Sequence, residues 1–522
     1  VQRKIAATSW RAALKTGGRK ALRLPAYPFF AAAYPALALL LHNIAEVRLA
    51  GALRAILVSL GIALLLMLLF RLVYGGWHRA AAASAALLLL FFSYGHVFDL
   101  LREEYPHLVL DSGLAVLWSG IAAAMLLWAG RGATHFERAA PGLNVITLGL
   151  LTVVLLQIGW YSFPASGDEP AVEFAPLQAL TIPAGETLPD IYYIIIDSYG
   201  RSDLLQRAFG YDNSAFLDSL EQMGFYVADC AQSNYNRTDV SMASSLNMAY
   251  LQDLSAAFQP PSQSRRTLWA SISNSAVRLM LEQAGYTSIA FATGFAWSEV
   301  DASDVYLAPH SFWLSMTGFE VILLRTTPAR HLEESGTINL AELEGQHFRE
   351  RTRFILDEID DLAHMPGPKF VFIHILPPHP PFVYAPDGSF TDPAPFLNED
   401  QRYTFTSYTQ GYRNQVEYIT TQVEGAVRTL LAESASPPII ILQGDHAPWL
   451  QSGTGKFLIL NAYYLPAGTG MLYPTISPVN TFRLIFNEYF GAGYDLLPDT
   501  SFYSPVPNIY EFEEFPNPCG GD

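Results

Sequence analysis

Cysteine is almost missing from this chain: Cys230 and Cys519 are the only two among 522 residues. That number excludes a zinc-finger spacing, and neither residue stands out as a nucleophile. Outside the cytoplasm the two would be free to pair and tie the C-terminal tail to the main body. Two unrelated thiols is the alternative, and the sequence leaves both open. Charge is scarce as well, at 15% Asp, Glu, Lys and Arg, and it is unevenly divided. Residues 1–164 carry 14 basic and 6 acidic side chains, whereas the remainder carries 17 and 42, a net of −25. With so little positive charge to offset phosphates, nucleic acid is excluded as a partner. An anionic substrate has to be held by a local metal rather than by a broad basic field. Histidine is absent after His446, and there is no internal repeat.

What is abundant is apolar sequence, 51% of the chain, with the long runs placed before residue 164. Five runs, 26–43, 51–74, 80–101, 108–129 and 142–163, are each long enough to cross a bilayer as a helix. Five nearly uncharged stretches in one block match poorly the core helices of a soluble protein. Arg3, Lys4, Arg11, Lys15, Arg19, Lys20 and Arg23 precede the first run. Arg71 and Arg79 flank the second loop, and Arg131 and Arg138 the fourth; the first and third include Glu46, Glu103, Glu104 and Asp111. By the positive-inside rule the N-terminus is cytoplasmic, and five crossings put the later residues outside. No convincing cleavage site follows the first run, which therefore reads as an uncleaved anchor in the cell membrane. The expected organisation is a five-helix transmembrane domain over 1–164, a Pro-, Ala- and Gly-rich linker over 165–189 and an extracytoplasmic domain over 190–522.

In that last part, strand-like runs at 191–196, 287–293, 369–375, 439–442 and 457–465 alternate with helical patterns near 212–223, 266–284, 345–363, 408–433 and 480–490. Alternation of this kind predicts an α/β domain with a mainly parallel central sheet covered on both faces.

Four segments carry candidate chemistry. Pro437–His446, PPIIILQGDH, is a buried-strand run that ends in Asp445 and His446. In open α/β sheets ligands bind at that C-terminal edge, and a carboxylate beside an imidazole suits Zn²⁺ or Mn²⁺. Ile191–Asp197, IYYIIID, repeats the construction, with Asp197 either a ligand or the N-cap of the next helix. Ser233–Asn247, SNYNRTDVSMASSLN, is dense in hydroxyls and places Thr238 at a helix start. There the dipole and free N–H groups favour an anion and a developing alkoxide, although a capping threonine is the plainer reading. Lys369–Phe382, KFVFIHILPPHPPF, carries His374 on a strand and His379 in a proline-fixed turn. His379 is placed to touch a substrate oxygen or pass a proton; His374 reads as a core histidine or a second substrate contact.

Strand-Asp, a hydroxyl at a helix start, a His-x-Pro loop and strand-Gly-Asp-His, in this order, resemble the alkaline phosphatase superfamily. The five preceding runs narrow the resemblance to membrane enzymes similar to lipoteichoic acid synthases and lipid phosphoethanolamine transferases, which carry sulfatase-like domains. At motif level it covers residues 190–490. It implies Asp197, Thr238, Asp445 and His446 as metal ligands, Thr238 also as nucleophile, and His379 as substrate contact. The Thr238-x-x-Ser241 spacing is similar to the transferase pattern. It further implies one divalent ion, Zn or Mn with Mg as an option, a phospholipid donor and an acceptor in the cell envelope. The expected reaction moves a phospho-headgroup through a phospho-threonine. Two departures matter. The residues after Thr238, DVSM, do not fit the formylglycine motif of many sulfatases, and the lack of a later histidine argues against a second metal. A hydrolase of the same fold, acting on phosphate or sulfuric esters, is the alternative enzyme. An inactive membrane-anchored binding protein would be expected to have lost part of the site. A transporter would carry more charges within its spans, which apart from Asp99, near the edge of the third, hold few.

Overall fold

Long apolar helices dominate the first part of the chain. In this computed structural model they are α1 (Tyr27–His42), α2 (Leu49–Tyr74), α3 (Trp77–Glu104), α4 (Asp111–Arg131) and α5 (Ala133–Ser162). The structure describes residues 23–44, 47–105, 111–131, 133–162, 179–182, 188–309, 316–393, 403–449, 451–517 and 519. The basic tail before Arg23 and most of the linker expected over 165–189 lie outside the described residues. Among the described residues, each of the five expected runs is mostly helical. Leu49–Tyr74, Trp77–Glu104, Ser112–Arg131 and His135–Tyr161 are long and apolar enough to cross a membrane. At 16 residues, with Pro35 inside it, α1 spans only about 24 Å, against about 30 Å of hydrocarbon. It packs against α2, α3 and α5. The run read as 142–163 is the later part of a helix that begins at Ala133.

The chain divides into two compact units, Val1–Asp168 with Met316–Leu343, and Glu169–Ser315 with Glu344–Asp522. The expected boundary near residue 164 thus has a second part: a stretch from the middle of the later sequence belongs with the apolar helices.

The second unit is built on a seven-stranded sheet of order β2-β7-β6-β1-β5-β3-β4. Its strands are β1 (Ile191–Ile196), β2 (Tyr226–Val227), β3 (Thr287–Phe291), β4 (Val305–Leu307), β5 (Lys369–Ile375), β6 (Ile439–Gly444) and β7 (Asn461–Tyr464). Only β7 runs antiparallel to its neighbours, so the sheet is mainly parallel as expected. Residues of β1 alternate between two cores. Ile191, Tyr193 and Ile195 meet α6 (Thr238–Asn247) on one face. Between β4 and β5 the chain forms α7 (Gly318–Arg325), α8 (Ala329–Glu334) and α9 (Leu340–His364), and α10 (Phe405–Glu433) follows β5. Tyr192, Ile194 and Ile196 meet α9 and α10 on the other face. Burial on both faces explains why β1, β5 and β6 read as largely apolar runs, interrupted only by Lys369, His374 and Gln443.

Register fixes the site. Ile196 lies beside both Ile375 and Gly444, so β1 and β6 end at the same level and their next residues, Asp197 and Asp445, emerge side by side. Gly444 permits this closeness, because a Cβ there would stand 2.4 Å from the Tyr199 carbonyl oxygen. Cys230 and Cys519 are joined in a disulfide, with Cα atoms 5.8 Å apart.

Candidate metal centre and active site

Ligand atoms of Asp197, Asp445 and His446 lie within 4.8 Å of one another, and no other group of three or more His, Cys, Asp or Glu does so among the described residues. Ser198 holds the two carboxylates in place. It sits in the left-handed region at φ 60°, where a non-glycine residue is strained. In that conformation its N–H donates to Asp445 Oδ1 at 2.8 Å and its hydroxyl to Asp197 Oδ1 at 3.0 Å. The Tyr412 hydroxyl donates to the Ser198 carbonyl, and the Ser241 hydroxyl to that of Asp445. His446 Nδ1–H donates to the Ala447 carbonyl at 2.8 Å, which leaves Nε2 as the free lone pair. That nitrogen lies 3.4 Å from Asp445 Oδ2 and 3.7 Å from Asp197 Oδ1.

The cluster is short of positive charge. Asp197 Oδ2 and Asp445 Oδ2 are buried and have no hydrogen-bond partner. Burial pushes Asp197 up, but the charges of His379, His374 and His446 outweigh it and hold the carboxyl below its usual range. Burial, reinforced by the charge of Asp197, raises Asp445 instead. For His446 burial acts downward, yet Asp445 and Asp197 raise it overall. Two buried carboxylates with unpaired oxygens are costly unless a cation joins them. Two carboxylate oxygens, one imidazole nitrogen and a neighbouring hydroxyl fit a single divalent ion.

That hydroxyl belongs to Thr238, the first residue of α6, whose Oγ1 donates to His446 Nε2 at 3.1 Å. All ten residues of α6 are buried, so its N-terminal N–H groups and dipole are poorly screened. The structure thus brings together Asp197, Thr238, Asp445 and His446. His379, half-buried on its turn, acts on Asp197 through its charge, and its Nδ1–H is held by the Pro380 carbonyl at 2.7 Å. His374 lies within the sheet, next to Asp197. It is 1% exposed, lies opposite Ile195 in the sheet, and its Nε2 is 3.3 Å from Asp197 Oδ2. Arg237, unnoticed in the sequence, precedes Thr238; one guanidinium nitrogen pairs with Asp239 at 3.0 Å, while Nη1 is buried without a partner. Its only sequence signal is a cation next to the candidate nucleophile.

A family model described as Sulfatase matches residues 189–474, more than half of the chain. No curated protein matches it. Among solved structures, the integral membrane lipooligosaccharide phosphoethanolamine transferase A from Neisseria meningitidis is similar at 11% identity. That likeness covers 90% of this chain and 95% of that one, with a TM-score of 0.41. The C-terminal periplasmic domain of EcEptC from Escherichia coli is similar at 15% identity over 63% of this chain and 93% of that one, with a TM-score of 0.39. The corresponding domain of the phosphoethanolamine transferase EptC from Campylobacter jejuni gives 11%, 58%, 90% and 0.36.

Proposed function

The chain belongs to the Sulfatase family, and from that premise we propose that this sulfatase-like membrane enzyme transfers a phospho-headgroup from a phospholipid to an extracytoplasmic acceptor. Asp197, Asp445, His446 and Thr238 would hold one divalent ion, which when bound lowers the hydroxyl pKa and neutralises phosphoryl oxygens. Thr238 Oγ attacks the phosphorus of the lipid headgroup; the new Oγ–P bond forms as the bond to the glycerol oxygen breaks. Diacylglycerol leaves with a proton supplied by His379, and a phospho-threonine remains. The acceptor hydroxyl then attacks the same phosphorus and gives its proton to His379, left neutral by the first step; the new P–O bond forms as the Thr238 Oγ–P bond breaks and returns Thr238 as the alkoxide. Through both steps the α6 N-terminus and Arg237 Nη1 face the equatorial oxygens, where charge builds up. His374, Ser198 and Ser241 do no chemistry; they keep the two aspartates in place.

The observation that carries this reading is the Thr238 hydroxyl, 3.1 Å from His446 Nε2 at the head of a buried helix, in a cluster where two buried carboxylates each keep one oxygen without a hydrogen bond. Formylglycine chemistry is disfavoured, since both cysteines are bonded to each other and the serines after Thr238 lack the arginine that the motif needs. That disulfide also favours an oxidising, extracytoplasmic setting for the catalytic unit. The test is to incubate the protein with phosphatidylethanolamine or phosphatidylglycerol and search by mass spectrometry for a phospho-adduct on the peptide containing Thr238. Equal lipid turnover by wild type and Thr238→Ala would overturn the proposal.

A further inference from the structure

Asp99 was singled out as a charge within an apolar span, and the transfer chemistry gives it no role. Its partner comes from far away in sequence. Arg330 Nη2 approaches Asp99 at 3.8 Å and Glu334 at 3.1 Å, and its guanidinium lies 5.6 Å from the centre of the Phe98 ring. Arg102 reaches Glu334 at 3.2 Å. At the start of α2 the same pattern recurs: Arg54 donates through two nitrogens to the Glu320 carboxylate, the Nε bond being 2.5 Å, with side chains only 14% and 11% exposed. Glu320 meanwhile completes the capping box of α7 with Thr317. A lone charge on a spanning helix is costly, and each of these is answered by a residue of α7 or α8.

Packing agrees with the charges. Phe319 and Leu323 of α7 join the cluster that contains Ala33, Leu37, Leu88 and Leu151. The α7–α8 turn seats its backbone on α3, where Gly95 N–H donates to the Thr326 carbonyl at 2.9 Å. A Cβ on Gly95 would stand 2.0 Å from the Arg325 carbonyl oxygen, so glycine makes the seat. These contacts fall toward the beginning of α2 and the end of α3, the ends that the loop charges place outside. The next helix, α9, begins in this unit at Leu340 and continues without a break into the catalytic one.

We propose that residues 316–343 are a clasp, an insertion in the catalytic sequence that docks into the membrane bundle and holds the catalytic half there independently of the linker. The clasp requires only that the apolar helices lie in a membrane, not that Thr238 is a nucleophile. To test it, a protease site is placed within residues 165–178 of the full chain, and the protein is cut in its native membranes. The fragment from residue 179 onward should sediment with the membranes after complete cleavage. Arg54→Glu should raise its release at least tenfold, and the exchanged pair Arg54→Glu with Glu320→Arg should restore retention. Gly95→Leu, which blocks the seat without touching a charge, should release it too. Release of the wild-type fragment on cutting, retention by Arg54→Glu equal to wild type, or no recovery in the exchanged pair would each overturn the clasp.

Discussion

Chelating the metal should cost the protein measurable stability, because the site then holds two buried carboxylates with only the neighbouring histidines to offset their charge. Asp197 and Asp445 have fully buried side chains and each keeps one unpaired oxygen. The raised Asp445 sets the pH dependence. A carboxyl whose folded pKa lies above its unfolded one binds its proton more tightly in the folded state, so stability falls as pH rises through that range. At neutral pH the metal-free protein therefore carries this penalty, and a bound ion removes it. A metal present at about 100 times its dissociation constant stabilises the fold by about 2.7 kcal/mol. At roughly 2 °C per kcal/mol for a large domain, the melting temperature should rise by about 5 °C. The assay is thermal unfolding followed by intrinsic fluorescence in detergent, first with chelator and then with Zn²⁺ or Mn²⁺ added. Asp445→Asn retains an acceptor for the Ser198 N–H but removes one buried charge. Without metal it should melt no lower than wild type, and the metal-induced rise should vanish. Since a proton competes with metal for the raised His446, the titration midpoint should move to higher metal as pH falls. A wild-type melting temperature indifferent to chelator and metal, or an undiminished rise in Asp445→Asn, would refute the reasoning.

Thr238→Ala should lower lipid turnover on the order of 10³-fold or more and abolish the phospho-peptide, whereas Thr238→Ser should keep both. Arg237→Ala should reduce kcat on the order of 10²-fold, and Lys should rescue it poorly because the fork geometry is lost; an unchanged kcat removes Arg237 from the phosphoryl site. Gly444→Ala should destabilise by roughly 1–3 kcal/mol, read as a lower melting temperature, because its Cβ meets the Tyr199 carbonyl. Cys230→Ser should cost about 2–5 kcal/mol, since the bond closes a separation of 289 residues; a denaturant midpoint equal to wild type would contradict this.

The three central strands were legible because burial on both faces forces continuous Ile, Val, Phe and Tyr, and a carboxylate at the end of such a run is conspicuous. Thr238 was legible for a similar reason, a hydroxyl at the point where a helix begins. His374 was harder. Its place beside Asp197 follows from the pairing of Ile195 with His374, and strand order is not written in local pattern. Arg237 is an ordinary residue until burial leaves one of its nitrogens unpaired. The two- and three-residue strands β2 and β4 are too short to leave a period. Residues 316–343 fall between the strand and helix patterns that the sequence shows, with no motif to single them out. The clue lay elsewhere, in Arg54 and Asp99, two charges whose partners no local spacing could reveal.

Charge distribution bears on which donor suits the site. A net of −25 after residue 164 repels free anionic substrates, and screening over about 8 Å confines attraction to the pocket itself. Local attraction there would come from a bound metal ion, the head of α6 and Arg237. A soluble phosphate ester would have to cross the repulsive field by diffusion. A lipid headgroup is already concentrated in the membrane that holds the apolar helices, so its encounter needs no electrostatic steering. Among lipid donors a zwitterionic headgroup meets less repulsion than an anionic one. The acidic charge predicts faster turnover of phosphatidylethanolamine than of phosphatidylglycerol in vesicles, by a ratio that should shrink as salt is raised.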